Sequence, residues 1–240
     1  MEPVASTLMD TSRTIAAGLG STLSGPKRLL ILFINYWTFL QVVLIGLTLG
    51  IPWTLFRWRC LTGLLLLYLV PPLLARIIRW LAPIREGRIP IGRRDFFIWW
   101  ALFNLQVIFC RFPALEEVLR VIPGLYGTWL RIWGARVGRL IYWGAGLTIL
   151  DRPFVAIGNG VMFGASVRLN PHVIARNKDG EMELILATVT IGDGALIGAY
   201  SLLTSGTEIA PGECTKALLI SSPFSKWKSG TRIAKTDATP

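Results

Sequence analysis

Between Val137 and Cys214, large apolar residues return every six positions. The segments read VGRLIY and WGAGLT; after a skip IGNGVM, FGASVR and LNPHVI; and after a longer interruption IGDGAL, IGAYSL, LTSGTE and IAPGEC. Four places after the large residue stands a small or β-branched one, at Val161, Val167, Val173, Ala195, Ser201 and Thr207. A helix face would repeat at three and four, and a half-buried strand would alternate. A six-residue step fits short flat strands separated by sharp corners, three strands to a coil, with positions one and five pointing inward. Glycine follows the apolar residue at Gly158, Gly164, Gly192 and Gly198, where a corner backbone is expected to need it. Each coil buries its face mainly on its neighbours, so a stack as short as this one depends on caps.

Upstream the period disappears and long apolar runs take over. Leu29 to Phe56 is 28 residues without a charge, enough to cross a bilayer with tilt, and it starts too late and runs too long for a cleaved signal peptide. Cys60 to Ala75 is a second uncharged run of 16, containing a Pro71-Pro72 pair expected to kink or break a helix. Only Arg57-Trp58-Arg59 separates the two, which predicts a helical hairpin over 29–84. Its second arm either stops part-way or is completed by Ile77 to Ile84, with Arg76 and Arg79 snorkelling. Phe96 to Cys110, 15 residues, is too short for a span. With Trp99-Trp100 inside it and Arg94 and Arg111 at its ends, it reads as an interfacial or re-entrant helix, in a helical region covering 85–136.

Composition sharpens this picture. The chain is 52% hydrophobic and only 16% charged, with a net charge of +11. Thirteen arginines lie between Arg57 and Arg139 against four acids, Glu86, Asp95, Glu116 and Glu117. A basic collar beside apolar segments suits anionic lipid, and by the positive-inside rule it puts residues after 76 on the cytoplasmic side. Arg57 and Arg59 in the hairpin loop pull against that orientation. Nucleic acid is not the expected partner, because the repeats carry no aromatic–basic interleaving of the kind that stacks bases. Residues 1–28 read as a mobile arm. The tail 215–240, with Lys226, Lys228, Arg232 and Lys235, is a basic segment that caps the last coil, meets a phosphate-bearing ligand, or is simply solvated.

The repeat resembles the hexapeptide-repeat acyltransferases. The likeness is carried by IGDGALIGAYSLLTSGTEIAPGE and by the lead-in WLRIWGARVG, and it spans Trp129 to Glu213. The chain is also similar to membrane-associated hexapeptide modules at the C-terminal end of peptide synthetases of the poly-lysine type. The resemblance implies a left-handed parallel β-helix over 137–214, a homotrimer, and acyl transfer from acetyl-CoA or another acyl-CoA to a hydroxyl or amine. The fold class expected is therefore a mixed membrane protein, with transmembrane and interfacial helices followed by a short left-handed β-helix. The membrane setting points to a lipid-linked, saccharide or amine acceptor delivered at the bilayer.

His172 is the only histidine in the chain, and it closes LNPH in the hexad before the repeat breaks. By register it should point outward at a corner, beside a loop over 174–184 with Asn177 to Gly180 as its turn. The resemblance implies that such a histidine is the general base, and imidazole suits the task because it titrates near neutral pH. Asn170 is either its orienting partner or a residue satisfying its own turn. The resemblance also places coenzyme A in a groove between subunits, along the coils after the histidine, with Gly198, Ala199 and Ser205 offering close backbone.

Several chemistries are disfavoured. One histidine cannot form a three-histidine metal site, and Cys60, Cys110 and Cys214 have no CxxC spacing, so no metal is expected. No glycine-rich nucleotide loop opens the chain. The alternative to an enzyme is a non-catalytic trimeric scaffold, or an accessory module of a synthetase-like system.

Overall fold

The computed structural model describes residues 25–235. The expected N-terminal arm up to residue 24 and the tail from 236 lie outside the described residues. Two helical arms come first. Helices α1 (Gly25–Asn35) and α2 (Trp37–Gly50) form one; α3 (Phe56–Tyr68) and α4 (Val70–Leu81) form the other. Each arm is 26 residues, long and apolar enough to cross a membrane by length and composition. They pack side by side, with Gln41 Nε2 donating to Leu66 O at 3.1 Å and Arg59 Nη1 to Leu49 O at 2.9 Å.

Pro71 and Pro72 do not end the second arm. They sit in the first turn of α4, after an irregular residue at Leu69, where backbone N–H groups have no intrahelical acceptor to lose. The arm therefore continues to Leu81. Arg76, exposed, donates to Arg131 O at 3.1 Å; Arg79, half-buried, donates to Pro153 O at 3.2 Å and lies over the Phe154 ring.

After β1 (Gly87–Pro90), four helices follow: α5 (Arg94–Asn104), α6 (Val107–Arg111), α7 (Ala114–Val121) and α8 (Leu125–Ile132). Phe96 to Cys110, expected as one interfacial or re-entrant helix, is divided between α5 and α6. Phe96, Trp99, Leu102, Ile108 and Phe109 are buried in the main core, against Tyr126, Trp129, Leu130 and Trp133. Both tryptophans of the pair are held by protein: Trp100 Nε1 donates to Asn35 Oδ1 and Trp99 Nε1 to Asp151 Oδ1, each at 2.8 Å. A short apolar run flanked by arginines describes a core helix as well as a headgroup helix.

From Arg136 the strands form three parallel stacks, which the chain visits in turn. The first joins β2 (Arg136–Val137), β4 (Val155–Ile157), β9 (Val189–Ile191), β12 (Glu208–Ile209) and β13 (Ser225–Lys228). The second joins β5 (Met162–Phe163) and β10 (Leu196–Ile197), extended by bridges to Tyr142 and Cys214. The third joins β3 (Thr148–Ile149), β6 (Arg168–Asn170) and β11 (Leu202–Thr204), with a bridge to Ile220. Hexad residues therefore sit directly above one another, as in Val137, Ile157, Ile191 and Ile209. The inward positions Ile149, Phe163, Leu169, Ile197 and Leu203 are buried, and so are their fifth-place partners Val161, Val167, Ala195, Ser201 and Thr207. Gly158 and Gly198 do not adopt left-handed backbone. They are needed because a Cβ at either would collide with the next rung, at Asp193 and at the Lys216–Ala217 backbone respectively.

The arm expected over 1–28 gives way to α1 at Gly25, and the region expected to be helical over 85–136 contains strand β1. Within the repeat, two further boundaries differ from the sequence reading. The interruption after His172 is not a free loop: β7 (His172–Arg176) and β8 (Met182–Leu186) form a hairpin, and β1 adds antiparallel to β8. Its turn lies where expected, with Asn177 Oδ1 accepting from the amides of Asp179 and Glu181. Nor does the repeat stop at Cys214. The six-residue step runs on through Thr215, Ser221 and Trp227. Hydroxyls there replace apolar side chains: Thr215 Oγ1 accepts from Gly198 N at 3.0 Å, and Ser221 Oγ accepts from Thr204 N at 2.8 Å. Strand β14 (Thr231–Lys235) then folds back antiparallel on β13, so the basic tail caps the stack.

Candidate functional site

The skip in the repeat is the sequence Asp151-Arg152-Pro153. It leaves β3 through a backbone in the left-handed region at Asp151 (φ 47°), which a short polar side chain tolerates better than most. A single 3-10 turn, Arg152–Phe154, returns the chain to β4. Because β3 lies parallel beside β6, with Ile149 opposite Leu169, the chain leaving β3 runs beside the chain leaving β6. Asp151 and His172 each lie two residues past their strand and meet there.

Asp151 Oδ2 is bonded to His172 Nδ1, and Asp151 Oδ1 accepts the Trp99 indole N–H. The carboxylate is fully buried, while the His172 side chain keeps 16% of its surface exposed. Trp99 and Phe103 of α5 cover the ring, with centroids 4.8 Å and 5.3 Å from it. Burial alone would lower the histidine pKa. The charge of Asp151 and its hydrogen bond outweigh burial, and the pKa lies above the ordinary 6.5. A carboxylate only accepts, so the neutral ring carries its proton on Nδ1 and leaves Nε2 bare. The His172 ring is thus oriented by Asp151 and faces aromatic cover rather than an open corner.

Asn170 is not the orienting group. Its Oδ1 is buried without a hydrogen-bond partner, and Asp151 holds the position Asn170 was expected to take. Gly198 and Ser205 are buried inside the stack, Gly198 against the following rung and Ser205 with an unpartnered Oγ. Of the three residues expected near a donor, Ala199 alone keeps appreciable exposed surface. No group of three His, Cys, Asp or Glu residues among the described residues is placed to hold a metal ion.

A second polar cluster underlies the first. Arg152 is fully buried and pairs with Glu116, while Gln106 Oε1 accepts from its backbone N at 2.7 Å and from its Nη1 at 3.1 Å. Its guanidinium also lies over Phe109, Trp129 and Trp133. Glu116 further accepts from Tyr126 and Arg120, and Arg120 reaches Leu147 O at 2.9 Å. Burial, reinforced by the Glu116 charge, pushes the Tyr126 phenol well above its usual range, so it stays protonated. This network fixes the Asp151-Arg152 backbone to α7 and α8. Sequence reasoning missed Asp151, Trp99, Phe103 and Arg152. One signal was available: a charged pair in a repeat skip, one rung before the histidine.

No protein-family model matches the chain, and no curated protein sequence does. Among solved structures it is similar to a hexapeptide-repeat-containing acetyltransferase from Vibrio cholerae, at 14% identity and a TM-score of 0.30, over 54% of this chain and 91% of that one. A likeness of that size assigns neither family nor activity.

Proposed function

We propose that the protein is a membrane-bound acyltransferase. In this reading the helical arms hold it in a bilayer, the three parallel stacks form a short left-handed β-helix, and His172 is the general base. The observation that carries it is the Asp151–His172 pair at the point where the repeat is broken. A buried carboxylate orients the ring and leaves Nε2 as the free acceptor of a proton. The Nε2 atom takes the proton of an acceptor hydroxyl or amine as that atom attacks the thioester carbonyl of an acyl-CoA. The tetrahedral adduct then collapses, the carbon–sulfur bond breaks, and the leaving thiolate takes the proton from Nε2, which restores the neutral base. Asp151 stabilises the imidazolium in between. Acetyl-CoA is the simplest donor, and the apolar N-terminal half suits a lipid-linked or otherwise membrane-delivered acceptor. Exposed Tyr200, Leu218 and Ile220 on the outer side of the last rungs support self-association, for which the trimer is the proposed form.

The test is to incubate membranes carrying wild type, His172→Ala or His172→Gln with radiolabelled acetyl-CoA and to separate lipid, polymer and small-molecule fractions. Label in one fraction should fall by about 10²–10⁴ in both variants, the usual contribution of a general base. Equal labelling would remove His172 from the chemistry.

The cover over His172 by Trp99 and Phe103 favours a second reading, in which the pair is a structural tie in a scaffold or synthetase accessory module. That reading expects no acyl-CoA binding by wild type, and a loss of stability rather than of transfer in His172→Ala.

A further inference from the structure

A cavity of about 1000 Å³ opens away from His172, between the α7–α8 corner and the first rung of the stacks. Its polar lining includes Arg120, Arg131 and Arg139, and none of its lining residues is a carboxylate. Arg120 is neutralised by Glu116 and Glu117. Arg131 is held in place by donating from Nε to Val137 O at 2.9 Å and from Nη2 to Gly138 O at 2.6 Å, but meets no acid there. The Arg139 backbone is fixed by Asn159 Oδ1, and its side chain has no ion-pair partner among the described residues. Two uncompensated guanidinium groups thus share one cleft, a geometry suited to a phosphate.

Much of the rest of the wall is apolar and exposed. Ile122 is 58% exposed, Tyr142 65% and Leu140 91%, and Ile122 continues an exposed apolar run through Val118 and Val121. The cleft also adjoins the helical arms, because the Arg131 carbonyl accepts from Arg76 of α4. Exposed aliphatic surface beside paired cations recognises an anion that carries its own hydrocarbon.

We propose that this cleft binds an anionic amphiphile bearing a phosphomonoester, with Arg131 and Arg139 on the phosphate and Ile122, Leu140 and Tyr142 against the chain. It goes beyond the acyl-transfer reading and does not use His172. The test takes the full chain in phosphatidylcholine nanodiscs and titrates a fluorescent phosphatidic acid, without any acyl donor, so a failure here leaves acyl transfer untouched. Arg139→Glu should weaken binding at least tenfold, and Tyr142→Asp, at an exposed position outside every ion pair, should weaken it severalfold. Arg168→Glu, an exposed arginine outside the cleft, should leave it unchanged. Inorganic phosphate and free coenzyme A serve as competitors and should displace the lipid only at far higher concentration. Displacement by either at concentrations matching the lipid would overturn the amphiphile and assign the cleft to a soluble phosphate. Equal binding by wild type and both cleft variants would overturn the site.

Discussion

Asp151 holds His172 from one rung earlier in the stack, 21 residues back along the chain. Neither residue is placed by local sequence. The parallel pairing of β3 with β6 brings them together, and α5 closes over them with Trp99.

If His172 is the base of the proposed acyl transfer, the pair makes the rate depend on pH in a definite direction. A general base must be neutral, and Asp151 raises the His172 pKa, so the rate of acyl transfer should climb with pH through a value above 6.5. In Asp151→Asn burial remains but the counter-charge is gone, so the climb should move to lower pH. Stability runs the opposite way. A histidine whose pKa is raised by folding stabilises fully below its unfolded pKa, and that contribution is lost as pH rises through the folded value. Thermal unfolding midpoints of wild type should therefore fall above pH 6.5, and Asp151→Asn should lack that fall. A pH–rate profile unmoved by the substitution would detach the carboxylate from the base.

Arg152 and Glu116 form the buried tie beneath the site. Removing one partner leaves a charge in the core, so Glu116→Gln or Arg152→Met should cost about 3–5 kcal/mol. The double variant should recover part of that loss, because no lone charge remains. Denaturant unfolding of the four proteins measures the coupling. Additive losses would show that the two side chains do not act as a pair.

Gly198 separates a packing role from a donor-binding one. Its missing Cβ makes room for the Lys216–Ala217 backbone, so Gly198→Ala should overpack the last rungs and destabilise by about 1–3 kcal/mol or more. Differential scanning calorimetry reads this without any ligand. A variant of unchanged stability with weakened acyl-CoA binding would reverse the assignment.

Leu44 and Leu47 are exposed on α2, on the outside of the first arm. If that arm lies in hydrocarbon, lysine at either position opposes insertion by about 2.5–3.5 kcal/mol at the membrane centre. The double lysine variant should appear in the alkali-extractable fraction while wild type stays with the membrane. Retention of both in the pellet would argue against an inserted hairpin.

Parts of this were legible in advance. The six-residue period located the buried positions from Ile149 to Ile209, since only inward residues feel the packing constraint that keeps them large and apolar. The turn at Asn177 was legible from its own side-chain chemistry. The last rung was not, because Thr215 and Ser221 keep the period while abandoning hydrophobicity, and their hydroxyls satisfy backbone amides instead. The role of Phe96 to Phe109 was equally hidden. An aromatic surface facing lipid and one facing a protein core obey the same apolar pattern.

The order of residues by itself determined the repeat, the two long apolar arms and the uniqueness of His172, because each depends on spacing or composition along one dimension. Only the tertiary structure decided what surrounds that histidine. A rung offset stacks Asp151 beside it, and a helix drawn from outside the repeat seals both. The contacts that set a pKa join residues distant in sequence, and their distances are fixed by how rungs and helices pack.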